Sequence, residues 1–446
     1  MAEQITAAVA ARVADLRVGD IPADVVELAR QCVLDWFGVT LAGSREPAAW
    51  IVLAEAVDEC PSGGAATVVG RSDRLPASMA ALVNGTASHA LDYDDVNSAM
   101  NGHPTVPVLG ALLALAETRG ASGRDVVCAF VAGYEAECRV GRALGSAPYQ
   151  RGFHATGTLG TLGAAAACAR LLGLDAETTA VALGIAATQA AGMKSMFGTM
   201  SKPLHAGKAG ANGLLAARLA ARGFTAHPGA IETEQGFAEV SGGRRDLDTP
   251  RTEPEWFLRN NLFKYHAACF ATHSTIEGLR RLRSRIGFAA ADVDRVVVHA
   301  NAAQMRMCAI PEPRTGLEAK FSLRHLVAMT LSDVDTASTD SFTDACARDA
   351  DLVRLRERVE VAEDGPPQSG TPIDVLLLDG RTLNAAQDVN TPATDLDAQR
   401  TALRAKFDAL SAPVLGPDRS DDLAKLIDTL DRLDDVTPLL AAGATT

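Results

Sequence analysis

The pattern of hydrophobic and polar positions predicts mostly helices from the start of the chain to about residue 260. Long runs of Ala, Leu and Val begin at a polar residue and end at a glycine, as in helices with an N-cap and a glycine stop. The clearest are 104–117 before Gly120, 158–172 before Gly173, a helix from Asp175 to near Gly192, and 205–222 before Gly223. This part of the chain is therefore expected to be an all-helical domain.

The pattern changes after about residue 290. Three consecutive valines in 292–300 predict a β-strand, and 372–377 predicts a second strand followed by a hairpin turn at Asp379-Gly380. A helix is expected between them at 317–331. The segments 395–410 and 420–433 return to a helical pattern.

These changes predict a mainly α fold, with a large all-helical domain and a smaller α+β domain. The expected parts are a helical domain at 1–266, a small α+β domain at 267–392 and a helical tail at 393–446 that rejoins the first domain. Two domains also suit 446 residues, which exceed one ordinary core.

The composition is that of a globular enzyme with close helix contacts. Hydrophobic residues make up 47% of the chain and aromatic residues only 4%, so the core must consist of Ala, Leu and Val. Gly157, Gly160 and Gly163 are three residues apart, and no strand precedes them. They are therefore interpreted as sites of close helix approach and not as a dinucleotide-binding loop.

Net charge, hydrophobic runs and cysteine spacing argue against several classes of protein. A net charge of −13 argues against nucleic-acid binding, and apolar runs such as 106–116 are too short to span a membrane. The eight cysteines are scattered without C-x-x-C spacing, and the N-terminus lacks the pattern of a signal peptide. A cytoplasmic protein with reduced cysteines is expected.

Ionisable side chains concentrate in two stretches beside glycine turns. The first contains His89, Asp92, Asp94 and Asp95, and then His103 between a glycine and a proline. A proline disfavours helix at the residue before it, so His103 is expected in a loop. A buried charge is costly unless it is paired or has a function, and loops between helices often carry catalytic or binding residues.

The second stretch places Lys202, His205 and Lys208 around a turn at the expected start of a helix, whose end has a partial positive charge. His154 lies just before another helix. Together the two stretches and His154 predict a cationic pocket for a small anionic molecule.

The aspartates allow other interpretations. Asp92, Asp94, Asp95 and His103 could form a hard-metal site, or imitate the magnesium- and diphosphate-binding motif of helical isoprenoid synthases. The low aromatic content and the lack of a second such motif argue against the synthase. Asp94 and Asp95 are equally compatible with helix caps or ion pairs. Asp92 is one helical turn from His89, which favours a functional role.

Five motifs in order along the chain resemble the MmgE/PrpD family. They are His89-Ala-Leu-Asp-Tyr-Asp-Asp with His103-Pro104, Gly152-Phe-His154-Ala-Thr, Gly198-Thr-x-x-Lys202-Pro-Leu-His205-x-Gly207, Lys264-Tyr-His-x-x-Cys269-x-x-x-His273 and Glu318-Ala-Lys-Phe-Ser322. The family includes 2-methylcitrate dehydratase, cis-aconitate decarboxylase and iminodisuccinate epimerase. The resemblance implies a homodimer, a site in the cleft between domains, small di- or tricarboxylate substrates, and no metal or organic cofactor.

The resemblance also suggests site residues. The decarboxylase branch implies a site of Asp92, His103, His154, Lys202 and Lys264. Further residues expected to bind substrate are His205, Lys208, Cys269 and His273. Three positions depart from that branch: Val96 replaces a threonine, Cys269 a histidine, and Met307 a catalytic tyrosine, whose hydroxyl donor methionine lacks.

These observations predict a cofactor-independent hydro-lyase of the 2-methylcitrate dehydratase type, which abstracts a proton next to a carboxylate. His103 and His154 would be base and acid, in an order left open, and Asp92 would orient a histidine. Lys202 and Lys264 would bind carboxylates and stabilise an enediolate. An epimerase, a decarboxylase and a non-catalytic carboxylate-binding protein are the alternatives.

Overall fold

The computed structural model describes residues 5–243, 256–366 and 370–445. The chain divides into two compact units. The first comprises Met1–Met196, Met200–Phe263 and Pro392–Thr446, and the second comprises Phe197–Thr199 and Lys264–Thr391. The eight cysteines all lie in the described ranges and form no disulfide, and five of them are buried.

The first unit is built of helices and one short strand pair. Its helices are α1 Ile5–Asp15, α2 Ala23–Gly43, α3 Pro47–Glu59, α4 Ala77–His89, α5 Thr105–Glu117, α6 Gly123–Leu144, α7 Ala147–Gln150, α8 Ala155–Leu171, α9 Ala176–Ala187, α10 Ser201–Ala220, α11 Phe237–Ser241, α18 Leu396–Leu415, α19 Pro417–Asp428 and α20 Thr437–Ala442. The strands β1 Ala66–Thr67 and β2 Arg74–Leu75 pair antiparallel. Two-residue strands have no periodicity to detect, so the sequence did not predict them.

Small residues let the central helices approach closely. A Cβ added at Gly163 would lie 2.6 Å from the Glu137 carboxyl, and one at Gly160 would collide with Pro107. A Cβ at Gly213 would lie 2.6 Å from Ala164. The interpretation of the glycines in α8 as close-approach sites is therefore confirmed.

The second unit combines helices with a four-stranded sheet. Its elements are α12 His273–Ile286, β3 Val293–His299, α13 Ala302–Cys308, α14 Gly316–Ala319, α15 Leu323–Leu331, α16 Asp344–Ala347, α17 Ala350–Arg356, β4 Val359–Ala362, β5 Ile373–Leu377 and β6 Thr382–Ala385. The strand order is β4-β3-β5-β6, and β3 runs parallel to β4 and antiparallel to β5. Val296 and Val298 of β3 and Val375 of β5 are fully buried in its core.

The predicted fold class, a large helical part and a smaller α+β part, is confirmed. Gly380 has φ +87° in the turn between β5 and β6, as the predicted hairpin requires. Within the described ranges, no helix combines the length and apolarity needed to cross a membrane.

Several predicted helix boundaries were wrong. The predicted helix at 317–331 is two helices, because the backbone of residues 309–310 bonds to residues 321–322 between them. Helix α9 ends at Ala187, and the chain then turns so that the Gly192 carbonyl accepts from His154 N. Helix α10 begins at Ser201, so Lys202 lies in its first turn and not in a preceding loop; Pro203 is tolerated there.

Candidate active site

A turn after helix α4 places two carboxylates in the first unit. His89 is the last residue of α4, and Asp92 N donates to its carbonyl at 3.2 Å. Asp92 has φ +52°, a left-handed conformation that Asp and Asn adopt more readily than most residues. This conformation turns the chain sharply, and Asp92, Tyr93 and Asp94 follow one another in buried positions.

A short loop then presents His103. The backbone of Asn97 pairs with that of Gly102, and His103 N donates to Thr156 Oγ1 at 3.0 Å. A Cβ at Gly102 would lie 2.9 Å from Thr156 N, so this approach requires glycine. The loop is therefore fastened to the start of helix α8.

Asp95 anchors the far side of the turn. Its carboxylate accepts from Thr105 Oγ1 at 2.5 Å and from Asn261 Nδ2 at 2.9 Å, and Tyr134 donates to Asn261 at 2.8 Å. Burial raises the pKa of Asp95 to about 7. Asp95 also approaches Thr105 N, the first amide of α5, at 3.4 Å, which matches the cap interpretation for this aspartate.

Asp94 lies between two imidazoles. Its carboxylate is 2.9 Å from His89 Nδ1 and 3.1 Å from His103 Nδ1. Burial alone would raise the pKa of Asp94, but His103 and His89 beside it hold that pKa well below its usual range. Because an ionised carboxylate only accepts, the Nδ1 atom of His89 must carry the proton.

His89 is a neutral imidazole at the centre of the cluster. Burial lowers its pKa to about 4, against the opposing effect of Asp94. Its ring lies 4.6 Å from the His103 ring and stacks on the His154 ring at 5.7 Å between centroids. His89 therefore holds Asp94 in place without adding charge near neutral pH.

His154 and His205 form an imidazole pair. Their Nδ1 atoms are 3.0 Å apart, so one of them donates and the other accepts. Burial lowers the pKa of His154 well below its usual value, with further lowering by His89, and burial and Lys202 lower the pKa of His205. Gly192 permits this pair, since a Cβ there would lie 3.2 Å from the His205 ring.

Lys202 supplies a buried ammonium to the cluster. Its Nζ is 2.7 Å from Asp92 Oδ1, and this same oxygen is 3.6 Å from His103 Nε2. His103 is 12% exposed, whereas the side chains of Lys202 and Asp92 are only 5% and 3% exposed. Of these three, His103 is therefore the side chain that a small molecule reaches most easily.

The cluster also contains a donor set for a metal ion. Ligand atoms of His89, Asp92, Asp94 and His103 all lie within 4.8 Å of one another. Imidazole and carboxylate ligands suit several divalent ions. The Lys202 ammonium already interacts with Asp92 at 2.7 Å, so a metal ligated by this oxygen would compete with it.

The first unit thus brings together five residues predicted from the sequence: Asp92, His103, His154, Lys202 and His205. Lys208, in contrast, is exposed on α10 and six residues from Lys202, which places it on another face of the helix. His89 and Asp94 complete the cluster; the sequence placed both in an ionisable stretch but gave neither a catalytic or substrate-binding role. The sequence signal that could have identified these two residues is the run of polar residues at the end of a buried helix.

The other predicted residues lie in the second unit. Lys264 is fully buried, and Cys269 N donates to the Lys320 carbonyl at 3.1 Å. His273 Nε2 is 3.2 Å from the Ala268 carbonyl, so this ring braces the turn that contains Cys269. His266 in the same turn lies between Glu277 and Thr336, at 2.9 Å from each.

The protonation of His89 gives a first testable prediction. We expect its imidazole nitrogens to show no titration by nuclear magnetic resonance from pH 8 to pH 5.5, since its pKa is about 4. The unfolded chain binds that proton near pH 6.5, so the His89 contribution to the free energy of unfolding falls as pH drops from 6.5 toward 4. His299, whose pKa Asp364 raises, is the internal control and should titrate. A His89 midpoint above 6 would contradict the neutral imidazole.

The fold and the cluster define a helical protein with acid–base side chains gathered at helix ends, joined to an α+β unit. The MmgE/PrpD N-terminal domain matches residues 7–250, and the MmgE/PrpD C-terminal domain matches residues 266–432. The chain therefore belongs to the MmgE/PrpD family.

Relatives with assigned names cover most of the chain. Cis-aconitate decarboxylase of Aspergillus terreus is 29% identical over 98% of this chain and 95% of its own length. Cis-aconitate decarboxylase of Mus musculus is 28% identical over 98% of this chain and 93% of its own. The mitochondrial 2-methylcitrate dehydratase of Yarrowia lipolytica is 25% identical over 82% of this chain and 76% of its own.

Proposed function

We propose that this protein is a cofactor-independent lyase that acts on a small di- or tricarboxylate and eliminates water after abstracting a proton next to a carboxylate. The observation that supports this most strongly is the placement of His103. Its Nδ1 lies 3.1 Å from the ionised Asp94, and its ring is partly exposed in a cluster that contains the Lys202 ammonium.

His103 is assigned as the base. Its Nδ1 lies 3.1 Å from Asp94, and with the proton on this nitrogen Nε2 carries the lone pair that would accept the substrate proton. The resulting imidazolium is stabilised by the carboxylate at 3.1 Å, as in other histidine–carboxylate pairs. This arrangement supports His103 as the base, in an order of the two histidines that the sequence left open.

His154 is assigned as the acid. Its pKa is lowered well below the usual value, so it is neutral near pH 7 and donates a hydrogen bond as an uncharged imidazole. In this role His154 Nδ1 accepts the hydrogen bond from His205, so that Nε2 of His154 carries the proton. A neutral donor suits protonation of a departing hydroxide.

Lys202 is assigned to the substrate carboxylate and the enediolate that forms as the proton leaves. An ammonium already fixed at 2.7 Å from Asp92 needs no reorganisation when charge develops. Lys264, His205, Lys208, Cys269 and His273 stay predictions as further substrate contacts.

Decarboxylation is the second candidate, because the relatives matched over 98% of this chain are named cis-aconitate decarboxylases. Against it, Met307 stands where that branch has a tyrosine, and its side chain packs on the apolar core of the second unit. A thioether cannot donate the proton that a phenol supplies.

The deciding experiment supplies purified protein with citrate, 2-methylcitrate and cis-aconitate. Dehydration should raise ultraviolet absorbance from a new conjugated double bond, without release of carbon dioxide. Carbon dioxide release would establish the decarboxylase instead. A change in optical rotation alone would indicate an epimerase, and binding without turnover would indicate a non-catalytic protein.

Removal of metal ions provides a second prediction. Dialysis against a strong chelator should leave turnover unchanged, because the Lys202 ammonium and not a metal ion stabilises the developing charge. The control adds the chelator without dialysis, which separates metal loss from chelator inhibition. Loss of activity that a divalent ion restores would make His89, Asp92, Asp94 and His103 a metal site.

The cytoplasmic location and the homodimer also stay predictions. Analytical ultracentrifugation of the purified chain should give a mass near twice 46.5 kDa. A monomer at micromolar concentration would contradict the dimer without affecting the assignment of the catalytic side chains.

A further inference from the structure

A buried lysine of the C-terminal part of the chain lies beside the aspartate turn. Lys406 is on α18 and is only 8% exposed. Its Nζ is 2.6 Å from Asp35 Oδ1, and Asp35 on α2 is also buried. Both charges are thus removed from water inside the helical unit.

The ammonium of Lys406 also binds the turn itself. Nζ donates to the Tyr93 carbonyl at 2.7 Å and lies 3.9 Å from the centroid of the Tyr93 ring. Tyr93 is 2% exposed and separates Asp92 from Asp94. The lysine therefore holds the one residue between the two carboxylates of the cluster.

This contact is needed because the turn is strained. Asp92 has φ +52°, and such conformations persist only where the surroundings enforce them. The Tyr93 carbonyl is buried and requires a donor, which Lys406 provides. A buried ion pair by itself is weak evidence of stabilisation, since apolar residues of similar volume often serve as well.

We infer that Lys406 is a positioning residue: it holds the Tyr93 backbone so that Asp92 faces Lys202 and Asp94 faces His103. In this role Lys406 contacts the backbone and the ring of Tyr93. It acts through the two carboxylates, and a displacement of about 1 Å at such groups lowers a rate by roughly 100-fold. The inference rests on the proposed function, because its main readout is a rate.

Two variants separate positioning from folding. Lys406→Met alone would leave Asp35 as a buried charge without its ammonium, so it is combined with Asp35→Asn. Asp35→Asn alone keeps Lys406, whose Nζ–H donates to the Tyr93 carbonyl in either protonation state. Lys425→Met, an exposed lysine of α19 paired with Asp421, is the matched control.

The double variant should fold, as judged by circular dichroism and thermal melting, and should lose about 10- to 100-fold in kcat. The acidic limb of its pH profile should move to lower pH, since His103 loses the support of Asp94. Asp35→Asn should retain most of the wild-type kcat per folded molecule, and Lys425→Met all of it. If Lys406 had only a structural role, the double variant would have a changed melting temperature and the wild-type pH profile.

A wild-type kcat and pH profile in the folded double variant would overturn the inference. The nitrogen chemical shifts of His89 test the positioning role of Lys406 separately from the proposed function, because they can be measured without substrate. The wild type should show the Nδ1–H form, and the double variant a mixture of tautomers as Asp94 moves. An unchanged His89 spectrum would also overturn the inference, whatever reaction the protein catalyses.

Discussion

Replacement of either His103 or His154 by alanine will lower kcat/KM by about 10²- to 10⁴-fold, the usual contribution of a general base or acid. His103 loses the imidazole that faces Asp94 at 3.1 Å, and His154 loses the neutral donor paired with His205. The wild-type pH profile should show an acidic limb from the His103 base, and His103→Ala should lose this limb. His154 is already neutral near pH 7, so His154→Ala should lower the rate without removing that limb.

Two further variants test this result. The double variant should lose much less than the product of the two single losses, because groups that act in one step are not additive. His227→Ala removes an exposed histidine of the same unit and should keep the wild-type rate. Full activity in a single variant, or unfolding in place of slowing, would make that histidine structural.

Replacement of Lys202 by methionine will reduce transition-state stabilisation by about 2–4 kcal/mol, or roughly 30- to 1,000-fold in kcat/KM. The ammonium is buried and lies 2.7 Å from Asp92, so its charge acts in an environment of low dielectric. The measurement is steady-state kinetics on the substrate that the absorbance assay identifies.

Loss of Lys202 also leaves the Asp92 carboxylate without this ammonium, which would lower stability by a separate route. Lys202→Met combined with Asp92→Asn removes both charges and should remain slow although it is better folded. Lys425→Met controls for the loss of one lysine. A wild-type rate in folded Lys202→Met would remove this lysine from the proposed site.

Local signals in the sequence predicted most of the fold. Glycines with positive φ follow the ends of α5, α8 and α10, and three valines mark β3, because caps and β-branched runs act over a few residues. Boundaries that depend on partners distant in sequence were missed. The end of α9 is one example, since the chain beyond Ala187 turns so that the Gly192 carbonyl accepts from His154 N.

The candidate site was predictable as a set of motifs but not as a set of contacts. Asp92, His103 and Lys202 are recognisable by residue type and by their glycine turns. The pairing of Asp94 with both His89 and His103 depends on how the loop folds back, which no local pattern encodes. Lys406 is more than 300 residues from Tyr93, and nothing in its surrounding sequence distinguishes it from a surface lysine.

The left-handed backbone at Asp92 restricts which substitutions this position tolerates. At φ +52°, asparagine and glycine are accommodated, whereas β-branched or bulky residues are strained whatever their chemistry. Saturation mutagenesis of this codon should therefore yield folded protein chiefly with Asn or Gly, neither of which has a carboxylate. Relatives that evolve activity on new substrates would therefore have to change other positions of the site, because few substitutions at Asp92 preserve the fold.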